Sequence, residues 1–359
     1  MSARPVLILA GGTGGHVFPA LAVASALQAR AVPVHWLGGT YGIETRLVPA
    51  AGIPFTALPG RGLRGTGVMR KLLGPPRFAV AVTRAWRLIR RLKPRAALGF
   101  GGYASGAGGV AAWIARCPLL IHEQNAIAGT TNRVLARLAV RVFAGLPGGF
   151  DKHAEVTGNP VRESFTDVSP PARRYRGRSG ALRLLVVGGS QGARVLNETL
   201  PQALARCGTQ FDVRHLAGPA HMESTRKAYE QAGITAAVSA FENEMWTAYA
   251  WADFAIARAG ALTLAELAAV GLPAVLVPFP AAVDDHQTAN ARVFESAGAA
   301  WLMAQTALDA DSLAALLDRL AASGREGLVE MAERARRLAR PDAAARVARA
   351  VLEAAEAAS

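Results

Sequence analysis

A glycine-rich loop near the start of the chain constrains the fold more than any other stretch. The segment Gly11 to His16 follows the apolar run Val6 to Ala10 and precedes a small, apolar pattern from Pro19 to Leu27. This order predicts a strand, a loop and a helix. Because glycines leave the first amide N–H groups of such a helix open to an anion, the loop suits a phosphate or diphosphate.

The second half of the chain repeats this arrangement. The apolar run Leu184 to Val187 leads into Gly188-Gly189-Ser190-Gln191-Gly192 and a helical pattern that ends near Leu204. Two such halves in 359 residues, with 51% hydrophobic and 18% charged content, predict an α/β protein. We expect two Rossmann-like, doubly wound domains with a cleft between them.

The domain limits follow from the two halves. We place one domain at residues 1–162 plus a C-terminal helix at 339–359, and the second domain at 163–338. The Arg- and Pro-rich stretch from Ser169 to Gly180 predicts a surface connection.

Common nucleotide-binding fingerprints are absent from the chain. Val17 stands where the last glycine of Gly-x-Gly-x-x-Gly belongs, and the second apolar run ends in Gly38-Gly39 instead of an acidic residue for a ribose. No Gly-Lys pair occurs in the sequence, so there is no Walker loop. These features argue against a nicotinamide enzyme and exclude a P-loop ATPase.

A serine hydrolase is the first rival interpretation. Gly188 to Gly192 matches Gly-x-Ser-x-Gly, and Asp253 followed by His286 supplies the chain order of a catalytic triad. The first loop has Thr13 at the corresponding place and no second catalytic set. The shared feature is therefore the glycines, which favours phosphate binding.

The sequence predicts no metal site. Apolar residues follow Asp309-Ala310-Asp311 at helical spacing, so Asp309 is predicted to cap a helix although the triplet resembles the Asp-x-Asp of some glycosyltransferases. His122-Glu123 has Ala126 where a second zinc-binding histidine belongs. Cys117 and Cys207 lack the spacing of a disulfide or a thiolate site and are predicted to be buried, reduced thiols.

Basic residues cluster between Gly60 and Arg95, where they alternate with large apolar residues. In a chain of net charge +14, this segment predicts a patch for an anionic membrane surface rather than for nucleic acid. The alternative is an amphipathic helix whose apolar face belongs to the core. The run Leu72 to Pro76 predicts a break in it. Without a signal peptide or an apolar run of about 18 residues, we expect a cytosolic protein.

Polar residues gather where parallel strands hold their ligands. The apolar run Leu119 to Ile121 ends in His122-Glu123-Gln124-Asn125. A second set lies further on: Glu266, His286, Gln287 and Asn290. Glycine loops for a diphosphate, hydrogen-bonding partners for sugar hydroxyls and a base for an attacking alcohol are what a nucleotide-sugar transferase needs.

Seven motifs occur in one order along nearly the whole chain. They are Gly11–Pro19, Gly101–Gly106, His122–Thr131, Gly158–Arg162, Gly188–Arg194, Tyr249–Glu266 and Asp284–Asn290. Together they resemble the bacterial MurG family of N-acetylglucosaminyltransferases. The resemblance implies a B-type glycosyltransferase that moves GlcNAc from UDP-GlcNAc, with inversion and without a metal ion or other cofactor. The acceptor is the muramoyl 4-hydroxyl of undecaprenyl-diphospho-MurNAc-pentapeptide (lipid I), and the product is lipid II for peptidoglycan.

The resemblance also implies a donor site. The diphosphate would lie on the amides that open the helix at Gly260, the ribose on Glu266, and the uracil against the backbone at Phe241. The full set is Thr13, Gly14, Gly15, Asn125, Arg162, Ser190, Gln191, Arg194, Phe241, Glu242, Gly260, Ala261, Leu262, Thr263, Glu266, His286 and Gln287. Ala107 and Glu242 depart from the family pattern, which has proline and an aliphatic residue there.

An acceptor site in the first half is implied as well. Its residues are Gly12, Gly14, Gly15, Gly102, Tyr103 and Ser105. His16 would be the general base, because a helix N-terminus disfavours the cationic form of its ring. The alternative is that His16 only binds phosphate or caps the helix, and Glu123 competes with it as the base.

Location, partners and rival functions complete the expectation. The resemblance implies a peripheral protein on the cytoplasmic face of the inner membrane and partners in a cell-wall synthesis complex. The rivals are a UDP-GlcNAc 2-epimerase-like enzyme or another nucleotide-sugar transferase of the same fold, and a non-catalytic polyanion-binding protein.

Overall fold

The structure, a computed structural model, describes residues 4–60, 68–150, 154–188 and 193–358, with the backbone alone at 68–74 and 283. It divides into two compact units. The first contains Met1–Arg162 and Arg340–Ser359, and the second contains Glu163–Ala339. Each unit is built around one parallel sheet.

The first unit is a seven-stranded sheet with helices between its strands. Its elements are β1 (Val6–Leu9), α1 (Gly14–Gln28), β2 (Val34–Gly39), α2 (Glu44–Ala50), β3 (Phe55–Leu58), α3 (Val68–Leu92), β4 (Ala96–Gly99), α4 (Gly102–Ile114), β5 (Leu119–Glu123), α5 (Thr130–Leu135), β6 (Arg141–Ala144), β7 (Glu155–Val156) and a C-terminal helix (Ala343–Ala357). The strand order β3-β2-β1-β4-β5-β6-β7 reverses between β1 and β4. An open parallel sheet holds its ligands at such a reversal, beside the carboxyl ends of the strands.

Alternating side chains of β1 build a core on each face of this sheet. Ile8 lies in the core formed with α1 and the C-terminal helix, where Val347 and Val351 are fully buried. Leu7 and Leu9 lie in the opposite core with residues of α3 and α4. The C-terminal helix therefore belongs to the core of the first unit, although the second unit precedes it in the chain.

The basic segment forms α3 and corrects two expectations. The helix continues through Pro75 and Pro76 without the predicted break. Each proline removes its own amide donor and crowds the carbonyl four residues before it, but the turns that follow are held by apolar packing that includes the buried Leu88 and Ile89. For these two residues the core alternative is right and the membrane interpretation is wrong.

The second unit is a six-stranded sheet in the order β10-β9-β8-β11-β12-β13. Its elements are α6 (Glu163–Thr166), α7 (Pro171–Arg174), β8 (Leu182–Val187), α8 (Arg194–Arg206), β9 (Phe211–Leu216), α9 (Met222–Gln231), β10 (Ala237–Ser239), α10 (Met245–Trp251), β11 (Phe254–Ala257), α11 (Ala261–Val270), β12 (Ala274–Leu276), α12 (His286–Ser296), β13 (Ala300–Leu302), α13 (Ala310–Ala322) and α14 (Gly324–Arg337). The order reverses between β8 and β11, whose ends Val187 and Ala257 are register partners. The segments after these two strands therefore adjoin.

Most of the stretch Ser169 to Gly180 is exposed, as predicted for a surface connection, but part of it is folded and packed. It contains α7, and Tyr175 is buried against the second unit. Arg174 donates to the carbonyls of Val270 and Gly271, at 2.6 Å in each case. Arginine here satisfies backbone carbonyls, a use that composition alone does not distinguish from a solvated charge.

Candidate active site

His16 lies where the two glycine loops of the first unit meet. It is half-buried in the first turn of α1, and its Nδ1 is 3.3 Å from the carbonyl oxygen of Gly11. An Nδ1–H that donates to this carbonyl leaves Nε2 unprotonated. One ring nitrogen is thereby anchored on the backbone, and the other can accept a proton.

Glycine is required beside this ring. Gly101 and Gly102 have φ angles of +103° and +82°, a region that L side chains rarely adopt. A Cβ on Gly101 would lie 3.1 Å from Nε2 of His16, and one on Gly102 would lie 2.8 Å from the carbonyl oxygen of Gly11. The loops after β1 and β4 therefore touch through their backbones, with Nε2 facing Gly101.

Helices α1 and α4 begin in the crevice where these two loops meet. Thr13 is the N-terminal cap of α1 and Gly101 that of α4, and neither makes a side-chain capping bond. The first amides of a helix lack intrahelical acceptors and favour an anion. Gly12 and Thr13 are exposed, and Gly14 and Gly15 are half-buried. This loop is therefore open to solvent, and its binding of the acceptor stays a prediction.

The side chains of two predicted acceptor residues pack against other parts of the first unit. Ser105 is fully buried, and a Cβ on Gly99 would lie 2.6 Å from its Oγ, so this side chain faces β4 and cannot contact a bound diphosphate. Tyr103 donates its hydroxyl to the carbonyl of Arg77 at 3.4 Å and packs edge-on against Phe78. In this conformation Tyr103 ties α4 to α3.

Glu123, at the end of β5, is buried and accepts five hydrogen bonds. Oε1 accepts from the amides of Gln124 and Asn125 and from Asn125 Nδ2, each at 3.0 Å. Oε2 accepts from the amide of Gly129 at 3.0 Å and from Asn132 Nδ2 at 2.9 Å. The carboxylate organises the turn between β5 and α5, and both of its oxygens are engaged by the protein.

His122, the residue before Glu123, is also structural. Its ring stacks on Phe100, its Nε2 is 3.1 Å from the carbonyl oxygen of Gly158, and its Nδ1 is 3.1 Å from Gln124 Nε2. Burial lowers the pKa of His122 to about 4, because desolvation penalises the cation. The neutral ring joins β5 to the predicted Gly158–Arg162 motif.

In the second unit, the turn between β11 and α11 is held by side chains from neighbouring segments. Asn290 Nδ2 donates to the carbonyl of Ala259 at 3.1 Å. Arg258 donates to the carbonyls of Val277 and Pro278, each at 3.1 Å, and to Gln305 Oε1 at 2.7 Å. Gly260 is the N-terminal cap of α11 in an extended conformation. These contacts fix the start of α11. The amides of its first turn form a site of the kind that binds a diphosphate.

Glu266 lies one turn further along α11. It is 9% exposed, and Tyr249 donates its hydroxyl to Oε2 at 3.4 Å. Tyr249 packs on Phe165, which in turn meets Trp246 edge-on. The three aromatic residues Tyr249, Phe165 and Trp246 therefore pack together on one side of the carboxylate, and Tyr249 holds it by a hydrogen bond.

The segment before α12 carries two strained residues. Asp284 and Asp285 have φ angles of +54° and +50°, which is uncommon outside glycine. Gln287 Oε1 accepts from the amide of Phe279 at 3.0 Å, so the side chain closes the loop that begins after β12. His286 is the first residue of α12 and is half-buried.

The other predicted donor residues are spread over both units. Ser190 and Gln191 lie outside the described residues. Phe241 is 60% exposed, the Glu242 side chain accepts from the amide of Glu244, and Arg194 pairs with Glu198 at the exposed start of α8. Arg162 lies over the ring of Phe18 in the first unit, and Asn125 is committed to Glu123.

Asp253, the aspartate of the serine-hydrolase interpretation, has a structural role. Asp253 is fully buried and forms ion pairs with Arg178 and Arg325. One of its oxygens also accepts from the amide of Arg183 at 3.0 Å. A carboxylate held in this way does not orient a catalytic histidine.

The described residues contain no group of three or more His, Cys, Asp or Glu side chains placed to hold a metal ion. The capping prediction for Asp309 is confirmed, because its side chain accepts from the amide of Ser312 at 2.8 Å. Asp311 pairs with Arg206 at 2.9 Å. Cys117 and Cys207 are free and partly buried, and burial raises the pKa of each thiol to about 11.

Sequence reasoning missed several residues that support these sites. Asn132 and Tyr249 contact predicted site carboxylates, and Arg258 fixes the start of α11. Asn132 stands one position beyond a quoted motif, and Tyr249 begins another. Their roles depend on contacts across 9 and 17 residues, which no local pattern specifies.

Comparison with known proteins identifies the family. Residues 6–144 match the glycosyltransferase family 28 N-terminal domain, and residues 183–347 match the glycosyltransferase family 28 C-terminal domain. A relative from Alkalilimnicola ehrlichii is 56% identical over 97% of this chain and 98% of its own length. That relative is named UDP-N-acetylglucosamine--N-acetylmuramyl-(pentapeptide) pyrophosphoryl-undecaprenol N-acetylglucosamine transferase.

Two solved structures are also similar. The crystal structure of Acinetobacter baumannii MurG superposes with a TM-score of 0.85 at 40% identity, over 98% of this chain and 99% of the other. The UDP-GlcNAc 2-epimerase from Neisseria meningitidis, bound to UDP-GlcNAc, superposes with a TM-score of 0.66 at 12% identity, over 97% of this chain and 100% of the other. The second likeness concerns the fold alone.

The chain has two doubly wound parallel sheets, and helices that begin at glycine residues lie where the strand order of each sheet reverses. Together with the family and structure matches, this architecture defines a glycosyltransferase of the B-type fold. This confirms the fold class predicted from the sequence. The chain belongs to glycosyltransferase family 28 and, within it, to the MurG family.

Proposed function

We propose that this protein transfers GlcNAc from UDP-GlcNAc to the 4-hydroxyl of the muramoyl sugar of lipid I, giving lipid II and UDP. The observation that carries the proposal is the 56% identity, over 97% of the chain, to a relative named for that transfer. The His16 geometry agrees with a reaction in which an alcohol must lose a proton.

In this mechanism His16 Nε2 takes the proton of the muramoyl 4-hydroxyl. The alcohol oxygen bonds to the anomeric carbon of GlcNAc as the bond from that carbon to the UDP oxygen breaks, so the configuration inverts. The Gly11 carbonyl holds Nδ1–H and favours the imidazolium that forms. The acceptor diphosphate binds at the starts of α1 and α4, because the first amides of a helix lack intrahelical acceptors and favour an anion.

The second unit stabilises the leaving group. UDP leaves with its diphosphate on the first amides of α11, whose helix dipole favours the developing negative charge. Glu266 accepts hydrogen bonds from the ribose diol. We propose that no metal ion takes part, since helix amides supply the electrostatic stabilisation. Glu123 acts as a positioning residue, because both of its oxygens already accept hydrogen bonds.

The test is an assay of the purified protein with UDP-GlcNAc and a short-chain lipid I analogue. We expect one disaccharide product per UDP released, in EDTA as well as in Mg²⁺. UDP-ManNAc formed without any acceptor would select the epimerase rival instead. Absence of both products would contradict a catalytic role for these sites.

We further propose that the first unit binds the anionic cytoplasmic face of the membrane peripherally. The exposed apolar residues Val80 and Trp86 lie on α3, and Trp113 and Ile114 lie at the end of α4, which packs against α3. Exposed arginines on α3 surround the first pair: Arg84, Arg87, Arg90 and Arg91. Apolar side chains beside cations suit an acidic lipid surface. No helix in the described parts of the chain is long and apolar enough to cross a bilayer.

Replacing Arg84 and Arg87 with alanine is expected to weaken binding to anionic vesicles by about 30-fold at low salt, since each basic residue contributes about 1 kcal/mol. Co-sedimentation with phosphatidylglycerol vesicles measures this. Arg226→Ala with Lys227→Ala is the control, because it removes two exposed charges from α9 of the second unit. Equal weakening in both double variants would show that net charge, not the α3 surface, attracts the protein.

A further inference from the structure

Glu44 is a fully buried carboxylate that joins two glycine-containing loops of the first unit. It is the first residue of α2, and its Oε2 accepts from the amide of Gly12 while its Oε1 accepts from the amide of Gly39, both at 3.0 Å. Gly39 is 5 positions away from Glu44 and Gly12 is 32 positions away, and both lie outside α2. The carboxylate therefore links the loop after β1 to the end of β2.

The protein leaves a tailored space for this side chain. A Cβ on Gly11 would lie 2.5 Å from Oε1 of Glu44, and one on Gly38 would lie 2.9 Å from its Cγ. A Cβ on Gly42 would overlap the carboxylate itself. Three glycines thus make room for one acid, and any side chain at these positions would displace it.

Burying a carboxylate is costly unless donors satisfy it, and hydrogen bonds to an ionised acceptor are stronger than neutral ones. One of the two donors here, the Gly12 amide, belongs to the loop that leads into α1 and His16, and the other, the Gly39 amide, is at the end of β2. The carbonyl of Gly11, adjacent to the bonded Gly12, accepts from His16. Trp36 Nε1 fixes the preceding carbonyl, that of Ala10, at 2.8 Å. Side chains from the β2–α2 region therefore fix the loop on both sides of Gly11.

We propose that Glu44 is a positioning residue for the acceptor loop: it sets the path of residues 10–13, and through the Gly11 carbonyl the orientation of His16. The inference rests on the proposed function. Because the Gly12 amide donates to Glu44, the acceptor diphosphate binds instead to the amides at the start of α1. Displacing a reacting group by about 1 Å can cost roughly 10²-fold in rate.

Glu44→Gln tests this with little change of shape. Its side chain keeps one acceptor oxygen, and its NH₂ group would face an amide N–H, so either Gly12 or Gly39 loses its acceptor. We expect kcat/KM for the lipid I analogue to fall by about 10²-fold, with the Kd of UDP within about twofold of wild type. Glu44→Asp keeps the charge but is one methylene too short to reach both amides, and it should behave similarly.

Hydrogen exchange gives a readout that does not depend on turnover. The peptide that covers residues 10–16 should exchange faster in Glu44→Gln, while peptides from the second unit stay unchanged. Asp253→Asn is the matched control, since it removes a buried charge from the second unit. It should lower the melting temperature without moving the KM for the acceptor.

The outcomes separate the alternatives. If Glu44→Gln affects UDP and acceptor kinetics together, as a general loss of stability would, or leaves the exchange of residues 10–16 unchanged, Glu44 has no positioning role. If the wild-type protein transfers no GlcNAc, the proposed function fails, and the exchange experiment still decides whether Glu44 orders the loop.

Discussion

Replacement of His16 with alanine is expected to lower kcat by about 10²–10⁴-fold, the usual contribution of a general base. The Kd of UDP should stay within about twofold, because His16 lies in the first unit and the diphosphate of UDP is assigned to α11. Single-turnover rates with the lipid I analogue, together with calorimetric titration of UDP, measure both quantities.

His35→Ala is the control for this variant. His35 is a half-buried histidine of the same unit, bonded to Thr56 at the side chain. It should leave kcat near the wild-type value. If His16→Ala instead raises the KM for the acceptor while kcat is preserved, His16 binds the diphosphate and another group is the base. An unchanged rate would remove His16 from the chemistry altogether.

Replacement of Glu266 with alanine is expected to weaken UDP binding by about 10²-fold. A hydrogen bond to a charged group contributes about 1.5–3 kcal/mol, and the proposed carboxylate accepts from the ribose diol. The deoxy analogue of UDP sharpens the measurement, because it lacks the 2′-hydroxyl. The wild-type protein should bind UDP more tightly than 2′-deoxy-UDP, and Glu266→Ala should bind both about equally.

Glu330→Ala serves as the control for Glu266, since it removes an exposed acid from α14 of the same unit. It should leave both affinities unchanged. If Glu266→Ala still prefers UDP over the deoxy analogue by the wild-type factor, the carboxylate only accepts the hydrogen bond from Tyr249 and does not touch the ribose.

Much of the fold was predictable because its signals are local. The apolar run Val6 to Ala10, the glycines after it and the helical pattern that follows specify a strand, a turn and a helix without reference to the rest of the chain. Asp309 was recognisable as a cap for the same reason. The repeat of the pattern at Leu184 then indicates a second sheet of the same kind.

The features that the sequence did not predict depend on contacts that are distant in sequence. The carbonyl contacts of Arg174 depend on the end of α11, almost 100 positions later, and the buried Tyr175 donates its hydroxyl to the carbonyl of Asp253. The inward orientation of Ser105 depends on which face of α4 meets β4. Glu44 is a residue for which the sequence analysis made no prediction, because its role follows from where Gly12 and Gly39 lie.

The C-terminal helix bears on the order in which the protein is assembled during synthesis. Val347 and Val351 fill a core whose other side chains include those of β1, α1 and neighbouring strands, so the first unit exposes an apolar strip until the ribosome has made the whole of the second. The second unit, Glu163–Ala339, is continuous in sequence, so its core does not depend on a segment that is synthesised after another unit. Domains tend to fold as units during translation, and here the unit that begins first is the one completed last.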